Sequence, residues 1–208
     1  MPSPFLSATK FVVEINQAQL LKDITFKNQR ATTMAMRREL EPKIKKAQDD
    51  LIKDFNAHAV TREIEGGADG TNLSNTLGGY GNLFSFIGFD SNENPTAVIR
   101  EILSQKINFK VRAVASGKFK ITILVPSKEE IFAITPMPWA SGLSWAEGVE
   151  KGISNLGFYL YRRSGIRGSN SGKGIQIKRS KKSVTFKETP YVSKIFTDFK
   201  KSLQNLDK

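Results

Sequence analysis

The sequence predicts an α+β fold, in which an antiparallel β-sheet carries a long N-terminal helix and a C-terminal helix packed on it. Three observations predict it. Apolar and polar residues alternate between Lys106 and Val125, on both sides of a Ser116-Gly117 turn. Apolar residues return every three or four positions between Asn28 and His58, and do so again between Val192 and Leu203. Period two marks a strand with one buried face, and a period near 3.6 marks a helix with one buried stripe.

In chain order, KFVVEIN from Lys10 to Asn16 reads as a short strand, and Gln17 to Asp23 as a helical turn. The long helix follows, with Leu40, Ile44, Ala47, Leu51 and Phe55 as its apolar stripe and Lys45, Lys46, Asp49, Asp50 and Lys53 on the opposite face. Such a stripe is core in an ordinary amphipathic helix. Pro42 lies inside the pattern and should kink the helix or mark its beginning. Glu65 to Asn82, rich in Gly, Asn, Ser and Thr, reads as a long loop, and loops of this length usually serve a function or move. A short helix is expected from Pro95 to Leu103, with Asn94 as its N-cap.

The hairpin comes next. Ile107, Phe109, Val111 and Ala113 face one way on its first strand, and Phe119, Ile121, Ile123 and Val125 on its second. The other face is basic near the turn, with Lys110, Arg112, Lys118 and Lys120. A Gly-containing turn between two alternating runs is a hairpin signal. Further strands are expected at Gly157–Tyr161, Gly174–Lys178 and Ser183–Lys187. In the closing helix Val192, Ile195, Phe196, Phe199 and Leu203 form the stripe, Thr189 the cap and Pro190 the first turn. No internal repeat or domain boundary is visible. Residues 1–208 read as a single domain, with 1–27 as an N-terminal extension, 65–82 as the Gly-rich loop and 162–182 as a basic loop or hairpin insertion.

Composition narrows the function. Cysteine is absent, which excludes disulfides, thiolate metal sites and cysteine nucleophiles. No apolar run approaches the roughly 20 residues of a membrane-spanning helix, and MPSPFLSATK lacks the layout of a secretion signal. The expectation is therefore a chain with no membrane partner, assembled in the cytoplasm. The net charge of +12 calls for a polyanionic neighbour. It is concentrated: Arg162, Arg163, Arg167, Lys173, Lys178, Arg179, Lys181 and Lys182 carry +8 with no acid among them, leaving +4 for the rest. This segment fits DNA phosphates, an acidic partner protein or plain solvation about equally. Phe158, Tyr159 and Tyr161, just before it, read as strand residues rather than base-stacking platforms.

Catalytic chemistry finds little footing. His58 is the only histidine; it cannot build a multi-histidine metal site and reads as a helix-end residue. SNSGKG, Ser169 to Gly174, departs from a phosphate-binding loop because Arg167 stands where the first Gly belongs and Gly174 where Ser or Thr belongs. Asp49, Asp50, Asp54, Glu63, Glu65 and Asp69 cluster in sequence, but those on the helix are interspersed with lysines, as on a solvated face. The expectation is a protein that is not an enzyme, with no catalytic, cofactor-binding or metal-ligating residue assigned.

Three stretches, in order, resemble the tail-completion or head–tail joining (neck) proteins of tailed bacteriophages, a family distantly related to the lambda minor tail protein Z. The first is YGNLFSFIGF, Tyr80 to Phe89, which looks like the family's Thr-Gly-x-Leu element ending in an apolar strand. Gly81, Leu83 and Ile87 match, and Tyr80 replaces the Thr. The second is WAEGVEKG, in which Trp145, Ala146, Val149, Glu150 and Gly152 fit an aromatic-Ala-x-x-Val-Glu-x-Gly pattern. The third is TPYVSKIF, where Pro190 and Tyr191 resemble the Pro-aromatic start of the family's closing helix. The matching covers about two-thirds of the chain; the first thirty residues and Ile153 to Ser183 exceed what the family needs.

The resemblance implies a structural virion protein assembled as a ring, a hexamer in the family's pattern, in the neck or tail. Its implied partners are other copies of itself, the head connector or adaptor, and tail terminator or tail tube proteins, with genomic DNA in the channel as a further one. Glu150 would pair with a basic residue of a neighbour or internally. A ring subunit shows two different faces to its neighbours, and the Gly-rich loop and basic segment are the candidates. The alternative is a non-enzymatic, basic nucleic-acid-binding protein; a metal-dependent nuclease ranks last.

Overall fold

A computed structural model of the chain describes residues 9–15, 29–78, 81–115, 118–138, 140–152, 158–161, 175–178 and 188–204. It is α+β, with the long helix and the closing helix where the periodicity puts them. Strand β1 (Thr9–Ile15) is followed by α1 (Gln29–Ala57), which runs through Pro42. Met36, Leu40, Ile44, Ala47, Leu51 and Phe55 are buried along it, and each of these side chains other than Ala47 contributes about 1.5–3 kcal/mol. Gln48, buried on the same face, donates from Nε2 to the carbonyls of Leu103 and Ser104 at 3.0 and 2.7 Å. It thereby satisfies two C-terminal carbonyls of α4 (Ala97–Gln105), which a helix leaves without internal partners.

The sheet is three-stranded, in the order β1-β3-β2, and antiparallel throughout. Strands β2 (Asn108–Ala115) and β3 (Lys118–Val125) form the expected hairpin, with Phe109 opposite Ile123 and Val111 opposite Ile121. On the central strand Phe119, Ile121, Ile123 and Val125 are buried, whereas on the β2 edge Phe109 and Val111 are only partly covered and Ala113 is exposed. Arg37 of α1 closes that edge with its guanidinium 5.6 Å from the Phe109 ring. β1 pairs with the far side of β3, Phe11 opposite Ile123. The stretch read as an N-terminal extension thus supplies an edge strand of the sheet.

The expectation of one sheet is corrected. Two further antiparallel ribbons stand apart from it: β4 (Pro136–Met137) with β5 (Ala140–Ser144), and β6 (Phe158–Tyr161) with β7 (Ile175–Lys178). Other corrections follow from local chemistry. α4 begins at Ala97 rather than Pro95: Thr96 is in the N-cap position, and the Asn94 side chain lies 3.0 Å from the Thr96 hydroxyl instead of capping the helix. The stretch expected to end in an apolar strand is helix α3 (Leu83–Ile87), capped by Asn82 and ended by Gly88 at φ 87°. A side chain at that left-handed position would be strained, and Gly is not.

α2 (Ala59–Glu65), α5 (Lys128–Ala133), α6 (Trp145–Lys151) and α7 (Val192–Gln204) complete the helices among the described residues. α5 starts in a capping box, in which the Ser127 hydroxyl accepts from the Glu130 N–H and the Glu130 carboxylate accepts from the Ser127 N–H. Val192, Ile195, Phe196, Phe199 and Leu203 of α7 are buried, and α7 packs along α1. The helical turn expected at Gln17–Asp23 and the strand expected at Ser183–Lys187 lie outside the described residues. Among the described residues no helix is long and apolar enough to cross a membrane.

Candidate functional site

The three stretches that carry the resemblance meet in space. Phe89, from the first, sets its ring edge-on to Trp145 of the second at 5.8 Å. Trp145 lies 6.2 Å from the ring of Tyr191, which opens the third. Phe84 extends the column at one end, 5.5 Å from Phe89, and Phe55 and His58 extend it at the other, 6.1 and 5.0 Å from Tyr191. Trp145, Tyr191, Phe55, Phe84 and Phe89 are all buried. Aromatic pairs at such separations add about 0.5–1.5 kcal/mol each beyond the area they bury.

Polar groups lock the seam. The Glu63 carboxylate, fully buried, accepts from the Leu83 N–H at 2.8 Å with Oε1 and from the Ser74 N–H at 2.7 Å with Oε2. Asn82 caps α3 by accepting from the Ser85 N–H at 2.9 Å, while its Nδ2 reaches the carbonyls of Gly67, Ala68 and Gly70 at 3.2, 3.0 and 2.8 Å. The hydroxyls of Thr76 and Thr189 meet at 2.9 Å, and those of Thr61 and Tyr191 at 2.9 Å. Burial pushes the Tyr191 phenol well above its ordinary range.

These bonds refine the reading of Glu65 to Asn82 as a long loop. Glu65 still belongs to α2, Gly67–Asp69 is a 3₁₀ turn, and Ser74, Thr76 and Asn82 bind the connection to the body. Leu73 is exposed on it.

Among the residues matched to the family, Leu83, Ile87, Trp145, Ala146 and Val149 are buried in the core around this seam, Gly81 and Pro190 are exposed, and Tyr80 lies outside the described residues. Gly152 ends α6 at φ 85°, a conformation that only Gly takes without strain. Glu150 turns inward: its Oε2 accepts from the N–H groups of Tyr191 and Ser193 at 2.9 and 3.3 Å. It caps α7 from another element, where a carboxylate also favours the positive end of the helix dipole. Thr189, expected as that cap, bonds Thr76 instead and donates its N–H to the Val149 carbonyl at 3.2 Å. No family model matches the chain, nor does any curated protein or solved structure.

His58 is the N-cap of α2, with Nδ1 accepting from the Val60 N–H at 3.3 Å. Its pKa is lowered, first by burial and then by Lys194, against the raising effects of the Pro190 backbone and Glu150. A depressed folded-state pKa means that the unfolded chain takes up the proton first. The contribution of His58 to stability is therefore complete above the unfolded value of 6.5 and is lost as pH falls from there through the lower folded-state value. Urea unfolding followed from neutral pH down to about pH 5 should show this loss, and His58→Asn, which keeps a capping acceptor, should remove that part of the pH dependence.

The carboxylates that were clustered in sequence go separate ways. Asp49 pairs with Lys45 at 2.7 Å, Glu63 serves backbone, and Glu65 binds the Arg100 guanidinium and the Thr96 hydroxyl. Among the described residues no three His, Cys, Asp or Glu side chains gather as a metal site. Of the basic segment, Lys178 ends β7, paired in register with Phe158. Arg162, Arg163, Arg167, Lys173, Arg179, Lys181 and Lys182 lie outside the described residues, as does SNSGKG.

Proposed function

We propose that this chain is a structural virion protein of a bacteriophage neck, a ring subunit that completes the tail and joins it to the head connector. What supports the reading is that three short stretches, far apart in sequence, which each resemble one part of the tail-completion proteins also pack on one another through Phe89, Trp145 and Tyr191. On this reading the buried seam keeps the subunit rigid, and contacts to neighbouring subunits fall on exposed surface such as the turn around Leu73.

The test is to delete the coding segment from the phage genome that carries it. Filled heads and separate tails should accumulate, and particles should join again when the purified protein is added. Infectious, joined particles formed without the protein would refute the assignment. The second reading, a basic nucleic-acid-binding protein without enzymatic activity, is favoured by one observation, the +8 carried between Arg162 and Lys182.

A further inference from the structure

The outer face of the three-stranded sheet is basic along its β2–β3 half. Lys110 and Arg112 alternate along the β2 edge and are exposed, and Arg112 stands directly opposite Lys120 of β3 in the register. Lys110 stands opposite Thr122. Beyond β3, Lys10 and Glu14 occupy the register positions across from Leu124 and Lys120. On its β2–β3 half the face therefore carries three cations and no acid. None of the ion pairs among the described residues involves Lys110, Arg112 or Lys120.

Like charges directly opposite on neighbouring strands destabilise a sheet. Glu14 stands across from Lys120 on the other side, but Lys110 and Arg112 have no acid opposite them, and a local rule broken in this way points to a function outside the fold. We infer that this face binds the phosphate backbone of duplex DNA, independently of sequence. Successive same-side residues on a strand lie about 6.6 Å apart and adjacent strands about 4.8 Å apart, so three cations make a compact patch that spans neighbouring phosphates.

Two features of the patch favour the duplex over other polyanions. The face presents Lys110, Arg112, Lys120, Thr122 and Leu124 with no aromatic ring, and binding of single strands depends on aromatic platforms for the bases. Protein interfaces are depleted in lysine and anchored by aromatic residues, so an acidic protein fits the patch less well. The inference does not rest on the neck assignment, since it concerns a property of the isolated chain. It also differs from the basic run between Arg162 and Lys182.

The test uses the full chain and a random-sequence duplex of about 30 base pairs, with affinity read by fluorescence anisotropy between about 50 and about 200 mM salt. Three phosphate contacts contribute about −2.7 to the slope of log affinity on log salt, or about 40-fold over that range. The triple variant K110Q/R112Q/K120Q should lose that share of the slope and bind more weakly at low salt. A second variant, with Arg162, Arg163 and Arg167 changed to Gln, should keep the sheet's share.

Unchanged affinity and slope in the triple variant would overturn the inference. So would an equal loss of binding to single-stranded DNA, or a triple variant that loses binding to an acidic polypeptide while its duplex binding stays intact. Arg112→Thr alone should leave the melting midpoint unchanged or raise it, because it removes the opposed charge. A lowered midpoint would show that the fold itself needs Arg112, and would overturn the premise.

Discussion

Replacing Trp145 by alanine should lower stability by about 3–5 kcal/mol, the range for emptying a buried large aromatic site. For a chain of this size, that corresponds to a fall in Tm of about 6–20 °C. The indole is only 1% exposed and stands in the middle of the column, in contact with Phe89 on one side and Tyr191 on the other. Its loss leaves a cavity that the neighbours cannot readily fill. Phe89 is held by the turn after α3, and Tyr191 by its hydroxyl bond to Thr61 and by Glu150 at its N–H. Trp145→Phe keeps an aromatic ring and should cost clearly less. Thermal unfolding followed by far-ultraviolet circular dichroism measures both, since the helical signal does not depend on the replaced indole. An alanine variant as stable as the parent would mean that the three stretches do not form a common core, and the support for the neck reading would go with it.

What the sequence could reveal followed from periodicity. The stripe of α1, from Leu40 to Phe55, and that of α7, from Val192 to Leu203, are each set by one helix, so the spacing alone suffices. The β2–β3 hairpin is legible for the same reason, because one buried face forces alternation. α3 was not legible as a helix: all of Leu83 to Ile87 are buried, so no period distinguishes helix from strand. The Asn82 cap and the Gly88 stop were the available signals.

α6 carried a clearer one, since Ser144 followed three residues later by Glu147 has the pattern of a capping box, and the Ser144 hydroxyl does accept from the Glu147 N–H at 3.1 Å. The locks of the seam are different in kind. Glu63 to Leu83, Thr76 to Thr189 and Glu150 to Tyr191 join residues far apart in the chain, and a local pattern does not record such pairings. Glu63 is one acid among several clustered in sequence, and only its burial sets it apart. Glu150 was matched through the resemblance, yet its role at the start of α7 depends on how α6 is placed.

Glu63 is where the second large effect is expected. A buried carboxylate that accepts two backbone N–H groups holds Ser74, midway along the connection that leads into α3, and Leu83, where α3 begins. Glu63→Ala strands both donors in a site closed to water, at about 1–3 kcal/mol for each unsatisfied group. Glu63→Gln preserves the shape, but turns one acceptor into an NH₂ facing an N–H. It should therefore still destabilise, by about 1–3 kcal/mol, and by less than alanine. Amide hydrogen exchange supplies the local readout. In either variant Ser74 and Leu83 should exchange faster by more than the global loss of stability accounts for, while the α1 amides facing α4 follow the global change. If both amides kept their protection in the alanine variant, the carboxylate would not be what fixes this connection, and the rigidity attributed to the seam would have to come from the aromatic column alone.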